Sequence, residues 1–420
     1  MRVAVVGSGG REHAIVKKIA ENKRVTELYA LCGNGGMTEA VCVDIKPTDT
    51  DGIVKFATEK KLDYVVVAPD DPLAMGLTDR LREAGIASFG PSQAAAEIES
   101  SKVFAKNLMK KYGIPTARYE VFSDIEKALD FVKTAPLPLV VKADGLALGK
   151  GVIIANTREE ATDAVNKIMR DKAFGKSGDE VVIEEFLTGP EVSVLAFTDG
   201  KTVVPMVSSM DHKRIGDGDT GLNTGGMGTI APNPYYTPAV ADECMKKIFL
   251  PTIEAMNAEG RTFCGCLYFG LMLTPSGAKV IEYNCRFGDP ETQVVLPLLK
   301  TDLLTVMRAV SEGRLGEIEV EFSDEAAACV IMASGGYPEA YEKGKEIDVP
   351  SDVLPRVYFA GAAEKNGKLY TNGGRVLGVT NVASTLGEAI KRSYADVERI
   401  KFEGAYYRTD IGAKAMKAKE

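Results

Sequence analysis

A predicted strand and the turn after it present three polar side chains that together suit a metal and phosphate site. Residues 279–283 alternate polar and apolar groups, which predicts a strand, and residues 288–290 predict a turn. Glu282 and Asn284 share one face of such a strand, and both carry oxygen ligands suited to magnesium. Arg286 continues that face and can grip a carboxylate or a transferred phosphoryl group. The alternative is a strand end with solvated polar residues.

A glycine-rich loop between two lysines is a second candidate site. The apolar run 139–141 predicts a strand that ends at Lys142, and the loop after it carries Lys150. This arrangement suits a cover over a polyphosphate. It is not a Walker loop, because residues 145–149 enclose too few positions and Gly151 stands where Ser or Thr would reach magnesium. The alternative is a flexible hairpin that binds no ligand.

Two further stretches have nucleotide-binding or phosphate-binding character. Residues 181–187 predict a strand that runs into a polar edge, where adenine can pair with the backbone and Glu191 can accept from ribose hydroxyls. Residues 206–229 contain six glycines and predict a long loop, which is usually functional or disordered. Within it, residues 224–226 can offer backbone donors to a phosphate or acyl group.

The amino terminus predicts a strand, a glycine turn and a helix. The apolar run 2–6 leads into glycines at 7–10, and backbone N–H groups at such a helix start bind phosphate, to which Arg11 adds charge. It is not a dinucleotide fingerprint, because Glu12 stands where that motif requires glycine. The alternative is a tight turn that serves packing only.

The elements that must position these groups predict an α/β protein. Strand-like runs at 28–31, 40–44 and 64–68 alternate with helical stretches, which predicts a doubly wound domain with a parallel sheet. Ser100 or Ser101 caps the next helix, which places a domain boundary near residue 101.

Helix-capping residues and helix-breaking residues predict where the later helices begin and end. Ser123 with Glu126 and Thr157 with Glu160 predict capping boxes. A long helix from Thr237 is expected to kink at Pro251 and to end at Gly260, and the runs after 326 predict a small sheet and a helix at 385–399. The predicted domains are 1–101, 102–325 and 326–420, with a lid at 119–188 whose mobility follows from the glycines at 145, 149 and 151.

Composition and charge indicate which kinds of partner and which location are expected. The 420 residues carry a net charge of -8 without a basic run, which argues against nucleic acid as a partner. The seven cysteines show no disulfide or metal spacing, and no apolar run is long enough to span a bilayer, so no membrane partner and a cytoplasmic location are expected.

Taken together, these motifs resemble the glycinamide ribonucleotide synthetase family of the ATP-grasp superfamily. The resemblance covers essentially the whole chain. Its motifs are Gly7-Ser8-Gly9-Gly10-Arg11-Glu12-His13, Lys142-Ala143-Asp144-Gly145-Leu146, Gly149-Lys150-Gly151-Val152, Asp211-His212-Lys213-Arg214, Asn223-Thr224-Gly225-Gly226-Met227-Gly228 and Asn284-Cys285-Arg286-Phe287-Gly288-Asp289-Pro290-Glu291-Thr292. It implies an ATP-grasp fold with a mobile lid subdomain between the doubly wound domain and a small α+β carboxyl-terminal domain.

The resemblance also implies a reaction and a set of roles. The reaction is ligation of glycine to 5-phosphoribosylamine through glycyl phosphate in purine biosynthesis, with ATP cleaved to ADP and phosphate. ATP binding falls to Lys102, Lys142, Gly149, Lys150, Glu184, Glu185, Phe186, Leu187 and Glu191, and Mg²⁺ or Mn²⁺ binding to Glu282 and Asn284. Catalytic roles fall to Lys142, Asp211, Lys213 and Arg286, and substrate binding to Gly9, Gly10, Arg11, Asn223, Thr224, Gly225, Gly226, Arg286 and Asp289. A monomer with a single activity is expected.

Two alternatives and two departures accompany this interpretation. An ATP-grasp ligase for a different carboxylate and amine is the first alternative, and a catalytically inactive nucleotide-binding regulator is the second. The second is disfavoured because the metal and phosphate groups named above are intact. Cys32 and Asp70 stand where the family usually has proline and glutamate, which bears on substrate contacts in the first domain.

Overall fold

The first hundred residues form one parallel sheet with helices between its strands, as the alternation of apolar runs predicts. The computed structural model describes residues 1–146 and 151–418. The strand order is β3-β2-β1-β4-β5, and residues 3–6 of the central β1 are fully buried because helices cover both faces. The elements are β1 (Arg2–Gly7), α1 (Gly10–Ala20), β2 (Glu27–Cys32), β3 (Val41–Val43), α2 (Thr50–Glu59), β4 (Tyr64–Val67), α3 (Asp70–Ala74), α4 (Leu77–Glu83), β5 (Ser88–Phe89) and α5 (Gln93–Ser100).

The next segment forms a four-stranded antiparallel sheet in the order β6-β9-β7-β8. Two helices cover it, and together they enclose a hydrophobic cluster of their own between residues 128 and 183. The elements are α6 (Lys102–Tyr112), β6 (Tyr119–Phe122), α7 (Ile125–Thr134), β7 (Leu139–Ala143), β8 (Val152–Ala155), α8 (Arg158–Val165) and β9 (Val181–Glu185).

Helix caps in this segment are partly as predicted. Ser101 and Thr157 accept hydrogen bonds from the first turns of α6 and α8, which confirms both caps. The prediction of a Ser123 cap is wrong, because Asp124 accepts from the backbone of Glu126 and Lys127 instead. A carboxylate one residue later in the chain reaches the same unpaired N–H groups and adds a favourable charge at the helix start.

A second antiparallel sheet has the order β11-β10-β16-β17. The predicted helix begins at Pro238, with Thr237 as its cap. It passes through a π-helical turn (Met245–Phe249) immediately before the segment that contains Pro251. After it, Gly260 has a left-handed conformation. The elements are β10 (Glu191–Thr198), β11 (Val203–Pro205), β12 (Met210–Asp211), β13 (Arg214–Gly216), β14 (Thr220–Asn223), β15 (Gly228–Ala231), α9 (Pro238–Cys244), α10 (Leu250–Ala258), β16 (Gly265–Thr274) and β17 (Gly277–Asn284).

The segment predicted as a long loop at 206–229 is instead built from short strands. β13 and β14 form a hairpin, while β12 and β15 join a sheet with the later strand β18. Strands of two to four residues are too short to leave a periodic pattern in a glycine-rich sequence.

The remaining residues complete that sheet in the order β12-β15-β18-β23-β20. It therefore contains strands from both sides of residue 326, and the predicted domain limits stay a prediction. None of the described helices is long and apolar enough to cross a membrane. The elements are α11 (Thr292–Val295), α12 (Leu303–Ser311), β18 (Ala326–Ser334), β19 (Glu346–Ile347), β20 (Val357–Phe359), β21 (Ala362–Lys365), β22 (Lys368–Thr371), β23 (Arg375–Ala383), α13 (Leu386–Val397), β24 (Ala405–Tyr406) and α14 (Ala413–Lys417).

Candidate active site

A β-bulge in β17 sets the direction of the two predicted metal ligands. Glu282 pairs with Gly270 and Val280 pairs with the next residue of β16, so Ile281 is the extra residue. Simple alternation would put Val280 on the face of Glu282, whereas the bulge sends Val280 into the core. Glu282 and Asn284 stay half-buried on the other face. Glu282 and Asn284 share a face by ordinary alternation, and the bulge before them, which the sequence pattern did not reveal, turns that face away from the face of Val280.

Lysine side chains surround the Glu282 carboxylate. The Lys213 ammonium lies 3.6 Å from Glu282 Oε1 and 3.2 Å from Glu191 Oε2. Burial opposes ionisation of Glu282, but the charges of Lys213, Lys142 and Lys102 outweigh it and hold the pKa of this carboxyl below its usual range. The attraction of Glu191 raises the pKa of Lys213. Glu282 is thus an ionised carboxylate in a cationic environment, which suits a metal ion that accompanies polyphosphate.

Lys142 belongs to a buried chain of charges. Its Nζ donates to the Ile281 carbonyl at 3.1 Å and lies 2.9 Å from Glu184 Oε1. The other Glu184 oxygen lies 3.0 Å from Lys106 Nζ, and both of those side chains are 3% exposed. Lys106 in turn donates to Thr116 Oγ1 at 2.7 Å. This chain joins the strands of the predicted lid to the bulge in β17.

Sequence reasoning missed Lys106 and gave Glu184 a different role. Glu184 was expected at the adenine edge, whereas the structure places its carboxylate between two lysines. Burial lowers the pKa of Lys106 to about 8 although Glu184 opposes the shift. The available signal was spacing, because Lys106 is four residues after Lys102 and so lies on the same face of α6.

The start of α6 is tied to the loop after β7. Lys102 Nζ donates to the Gly145 carbonyl at 2.8 Å. Asp144 accepts from the Val103 amide at 3.0 Å and from Ser101 Oγ at 3.3 Å, a capping role that the sequence analysis did not assign. Burial lowers the pKa of Lys102. Gly149 and Lys150, which were predicted to contact ATP, lie outside the described residues.

The predicted adenine edge continues from β9. The Glu185 carboxylate accepts from the Arg118 amide at 3.0 Å and from its guanidinium at 2.8 Å, and it lies 3.4 Å from Lys279 Nζ. Phe186 is exposed and Leu187 is half-buried. An exposed aromatic ring at a strand end can pack against a base.

Arg286 lies between the metal face and the first domain. Its guanidinium is 3.1 Å from Glu99 and donates to Asn284 Oδ1 at 3.2 Å. Burial opposes ionisation of Asp70, but Arg286 and Arg11 lower its pKa below the usual range. The shorter carboxylate at position 70 therefore still lies within the field of both arginines. Glu99, which sequence reasoning missed, also accepts at 2.7 Å from the Cys285 amide, which belongs to residues 284–292, called the metal segment below.

The amide groups at 224–226 already donate within the protein. Thr224 N–H donates to the Lys213 carbonyl at 2.7 Å, Gly225 N–H to the Tyr337 hydroxyl at 3.0 Å and Gly226 N–H to Thr224 Oγ1 at 3.0 Å. These amides therefore have partners within the protein, and the predicted phosphate or acyl contact of residues 224–226 stays a prediction. The residues stay candidates for substrate contact through their other atoms.

Arg375 clamps this loop against the metal segment. Its guanidinium donates to the carbonyl of Gly225 and, at 3.1 Å, to the carbonyl of Asp289, and it lies 3.2 Å from the Asp289 carboxylate. Gly226 has a φ of +106°, and a Cβ there would meet Pro290. Arg375 was not predicted as a site residue, and the structure shows that it joins two predicted substrate segments. Asn223 ends β14 and is exposed.

Two carboxyl groups beside Arg375, the half-buried Asp211 and the buried Glu291, lie close enough to repel each other. Burial and the repulsion of Glu291 raise the pKa of Asp211, and burial, with the repulsion of Asp289, raises the pKa of Glu291. Asp211 Oδ1 accepts from the His212 amide at 2.7 Å, and Glu291 Oε1 accepts from Ser193 Oγ at 3.3 Å. A cation between them would relieve the repulsion. Glu291 was quoted in the motif but not predicted as a site residue.

The amino-terminal turn is less open than predicted. Gly9 N–H donates to Glu12 Oε2 at 2.6 Å, so this amide is not free for phosphate. Arg11 lies 2.6 Å from the other Glu12 oxygen and donates to the Phe287 carbonyl at 3.1 Å. Gly10 begins α1. The turn thus connects to the metal segment mainly through Arg11.

Among the described residues, no three His, Cys, Asp or Glu side chains cluster closely enough to hold a metal by themselves. Glu282 and Asn284 supply one carboxylate and one amide oxygen, which fits a magnesium ion that takes its other ligands from phosphate and water.

Models of known families match nearly the whole chain. Residues 1–99, 100–292 and 327–414 match the N domain, the ATP-grasp (A) domain and the C domain of phosphoribosylglycinamide synthetase. A phosphoribosylamine–glycine ligase from Caldanaerobacter subterraneus is 47% identical over 98% of this chain and 100% of that protein. The chain belongs to the phosphoribosylamine–glycine ligase family.

Two further relatives agree with this membership. The crystal structure of a phosphoribosylamine–glycine ligase from Thermotoga maritima superimposes with a TM-score of 0.88 at 38% identity, covering 98% of this chain and 100% of that one. A bifunctional purine biosynthetic protein from Pichia angusta is 48% identical over 100% of this chain, which spans 54% of the length of that protein. The predicted family and fold class are confirmed.

Proposed function

We propose that this protein ligates glycine to 5-phosphoribosylamine, with cleavage of ATP to ADP and phosphate, by way of glycyl phosphate. The observation that carries the proposal is the ionised Glu282 carboxylate surrounded by Lys102, Lys142 and Lys213 next to Arg286. Such a site offers a metal ligand and positive charge to a polyphosphate, which is what phosphoryl transfer requires. Membership of the ligase family supports the identity of the two substrates.

In the first step a glycine carboxylate oxygen attacks the γ-phosphorus and the bond to the bridging oxygen of ADP breaks. Lys102 and Lys142 neutralise charge on the phosphates, and Lys213 and Arg286 face the transferred group. Glu282 and Asn284 would hold Mg²⁺ or Mn²⁺, which when bound supplies further charge neutralisation. Phosphoryl transfer depends mainly on position and charge, so the site needs no protein nucleophile.

In the second step the ribosylamine nitrogen attacks the acyl carbon and phosphate leaves with one former carboxylate oxygen. The proton lost from nitrogen passes to the phosphate or to water. The repelling carboxyl groups of Asp211 and Glu291 suit the ammonium group of glycine. Arg11, Asp289 and the residues at 223–226 border the proposed position of the phosphoribosyl group. The monomeric state stays a prediction.

A substrate-omission assay tests the proposal. Release of ADP and phosphate is measured with magnesium ATP, glycine and freshly generated phosphoribosylamine, and then with each component left out in turn. We expect turnover only with all three, and no replacement of glycine by alanine or serine. Turnover with a different acid or amine, but not with this pair, would overturn the substrate assignment and favour another ATP-grasp ligase activity.

A further inference from the structure

The segment 406–414 lies along the β13–β14 hairpin and holds its tip. The Tyr406 hydroxyl donates to the Ile215 carbonyl at 2.8 Å. The Thr409 amide donates to Asp217 Oδ1 at 2.9 Å, and its hydroxyl also donates to that carboxylate. In the opposite direction, the Gly218 amide donates to Asp410 Oδ2 at 2.8 Å. We call residues 406–414 the clasp.

A buried arginine fixes the clasp to the same hairpin. Arg408 is 1% exposed, and its guanidinium donates to Asp219 on the hairpin at 2.8 Å and to Asp410 at 2.7 Å. It also donates to the Arg214 carbonyl at 3.0 Å. Charge-assisted hydrogen bonds shielded from water are stronger and more directional than exposed ion pairs. The tip of the hairpin is therefore held on several sides.

The clasp also reaches the residue between two predicted catalytic groups. The Gly412 amide donates to His212 Nε2 at 3.0 Å, which leaves the Nδ1–H to donate to the Gly228 carbonyl at 3.1 Å. His212 is buried and lies between Asp211 and Lys213 in the chain. The backbone that carries these two side chains is thus fixed from the clasp side.

The base of the hairpin carries the site. Thr224 donates to the Lys213 carbonyl through its amide and, at 2.9 Å, through its hydroxyl, which closes the base. The Lys213 ammonium lies 3.6 Å from Glu282. A shift of the hairpin would therefore move Lys213 relative to the metal ligand.

We propose that the clasp is a positioning element for the ligation step: by holding the hairpin at its tip and at His212, it sets Asp211 and Lys213 against Glu282. The proposal rests on the proposed function, because it takes these residues as part of the glycine and acyl-phosphate site. Arg408 and Tyr406 are not proposed to touch a substrate. They act by holding the hairpin in place.

The test uses a variant that loosens the clasp at its surface. Asp217→Ala combined with Tyr406→Phe removes exposed contacts and leaves the buried Arg408 in place, so the fold is expected to survive. Misplacement of a catalytic group by a fraction of an ångström is costly, so we expect kcat/KM for glycine to fall by about tenfold or more. The KM for ATP should stay within about twofold, because the contacts of Lys102 and Lys142 do not involve the hairpin. Amide hydrogen exchange at 213–224 should become faster.

A matched control is Arg399→Gln, which breaks an exposed ion pair whose described partners are Asp352 and Asp396. It should leave every kinetic constant unchanged. An unchanged kcat/KM for glycine in the double variant, with the parent protein active, would overturn the proposed role of the clasp. A KM for ATP that rises well beyond twofold would also overturn it, because it would indicate general destabilisation of the site. Absence of turnover in the parent protein would instead overturn the proposed function.

Discussion

At the scale of single residues, the site is defined by charges that determine one another's ionisation. Glu282 stays ionised in a half-buried place because Lys213, Lys142 and Lys102 surround it. Asp70 stays ionised because of Arg286 and Arg11. This mutual dependence means that the loss of one charge changes the chemistry of its neighbours as well as its own contact.

Glu282→Gln tests the metal-ligand role directly. The substitution keeps the size of the side chain and removes its charge, so we expect ligation to fall by about 10²- to 10³-fold with normal folding. The measurement is kcat for phosphate release, with circular dichroism as the check on folding. Glu254→Gln, on an exposed position of α10, is the control and should keep full activity. A Glu282→Gln variant with nearly unchanged turnover would remove this residue from the metal site.

Sequence pattern indicated the residues that lie next to each other in the chain. Glu282, Asn284 and Arg286 follow one another along β17 and the turn after it, and local alternation was enough to group them. Glu99 and Arg375 were not predicted, because the residues that they contact are distant in the chain. Glu99, for example, accepts from a backbone amide 186 residues later. No local period can encode such a contact, which arises only from tertiary packing.

At the scale of elements, long runs were predictable and short irregular features were not. The parallel sheet, the capped helix α6 and the strand after Leu139 were all expected. The bulge at Ile281 was not, although it decides which side chains of β17 face the site. A bulge changes the register of one residue and leaves the composition of the strand unchanged, so it gives little signal in a sequence.

The predicted lid can be tested by hydrogen exchange. The sheet β6-β9-β7-β8 packs with its helices around a cluster of its own, and Lys142 on β7 joins it to the site. We expect ATP with magnesium to slow amide exchange in β7 and β9, because phosphate binding to the lysines restricts opening. The amides of β1 serve as the internal control and should not change. Identical exchange in β7 and β9 with and without nucleotide would argue against a closing lid.

At the scale of the whole molecule, the site is assembled from distant parts of the chain. Arg11 comes from helix α1 of the first domain, Lys142 from the second sheet, Glu282 from the third and Arg375 from the sheet that follows. The Arg11 guanidinium donates to the Phe287 carbonyl and the Arg375 guanidinium donates to the Asp289 carbonyl, which joins these parts around one segment. Folding of the whole chain is therefore needed to form the site.

The buried His212 links this assembly to pH. Burial and the nearby Arg408 lower the pKa of His212 to about 4, whereas an unfolded histidine titrates near 6.5. The unfolded state therefore binds a proton that the folded state does not, so stability is present above pH ~6.5 and is lost as the pH falls towards ~4. The effect amounts to at most about 3 kcal/mol.

Comparison with His212→Gln isolates this effect, because the variant lacks the titrating group. Urea unfolding of both proteins between pH 7 and pH 4 should show the advantage of the parent protein shrinking as the pH falls. Free energies of unfolding that decline in parallel over this range would contradict the assignment of the titration to His212.

Isotope transfer shows whether the site phosphorylates the glycine carboxylate before the amine attacks. Glycine labelled with ¹⁸O in its carboxylate is turned over with magnesium ATP and phosphoribosylamine, and the phosphate is analysed by mass spectrometry. We expect one ¹⁸O atom in each phosphate released, because that oxygen attacks phosphorus and leaves with it. Phosphate that carries no ¹⁸O, at the same extent of ligation, would contradict an acyl-phosphate intermediate.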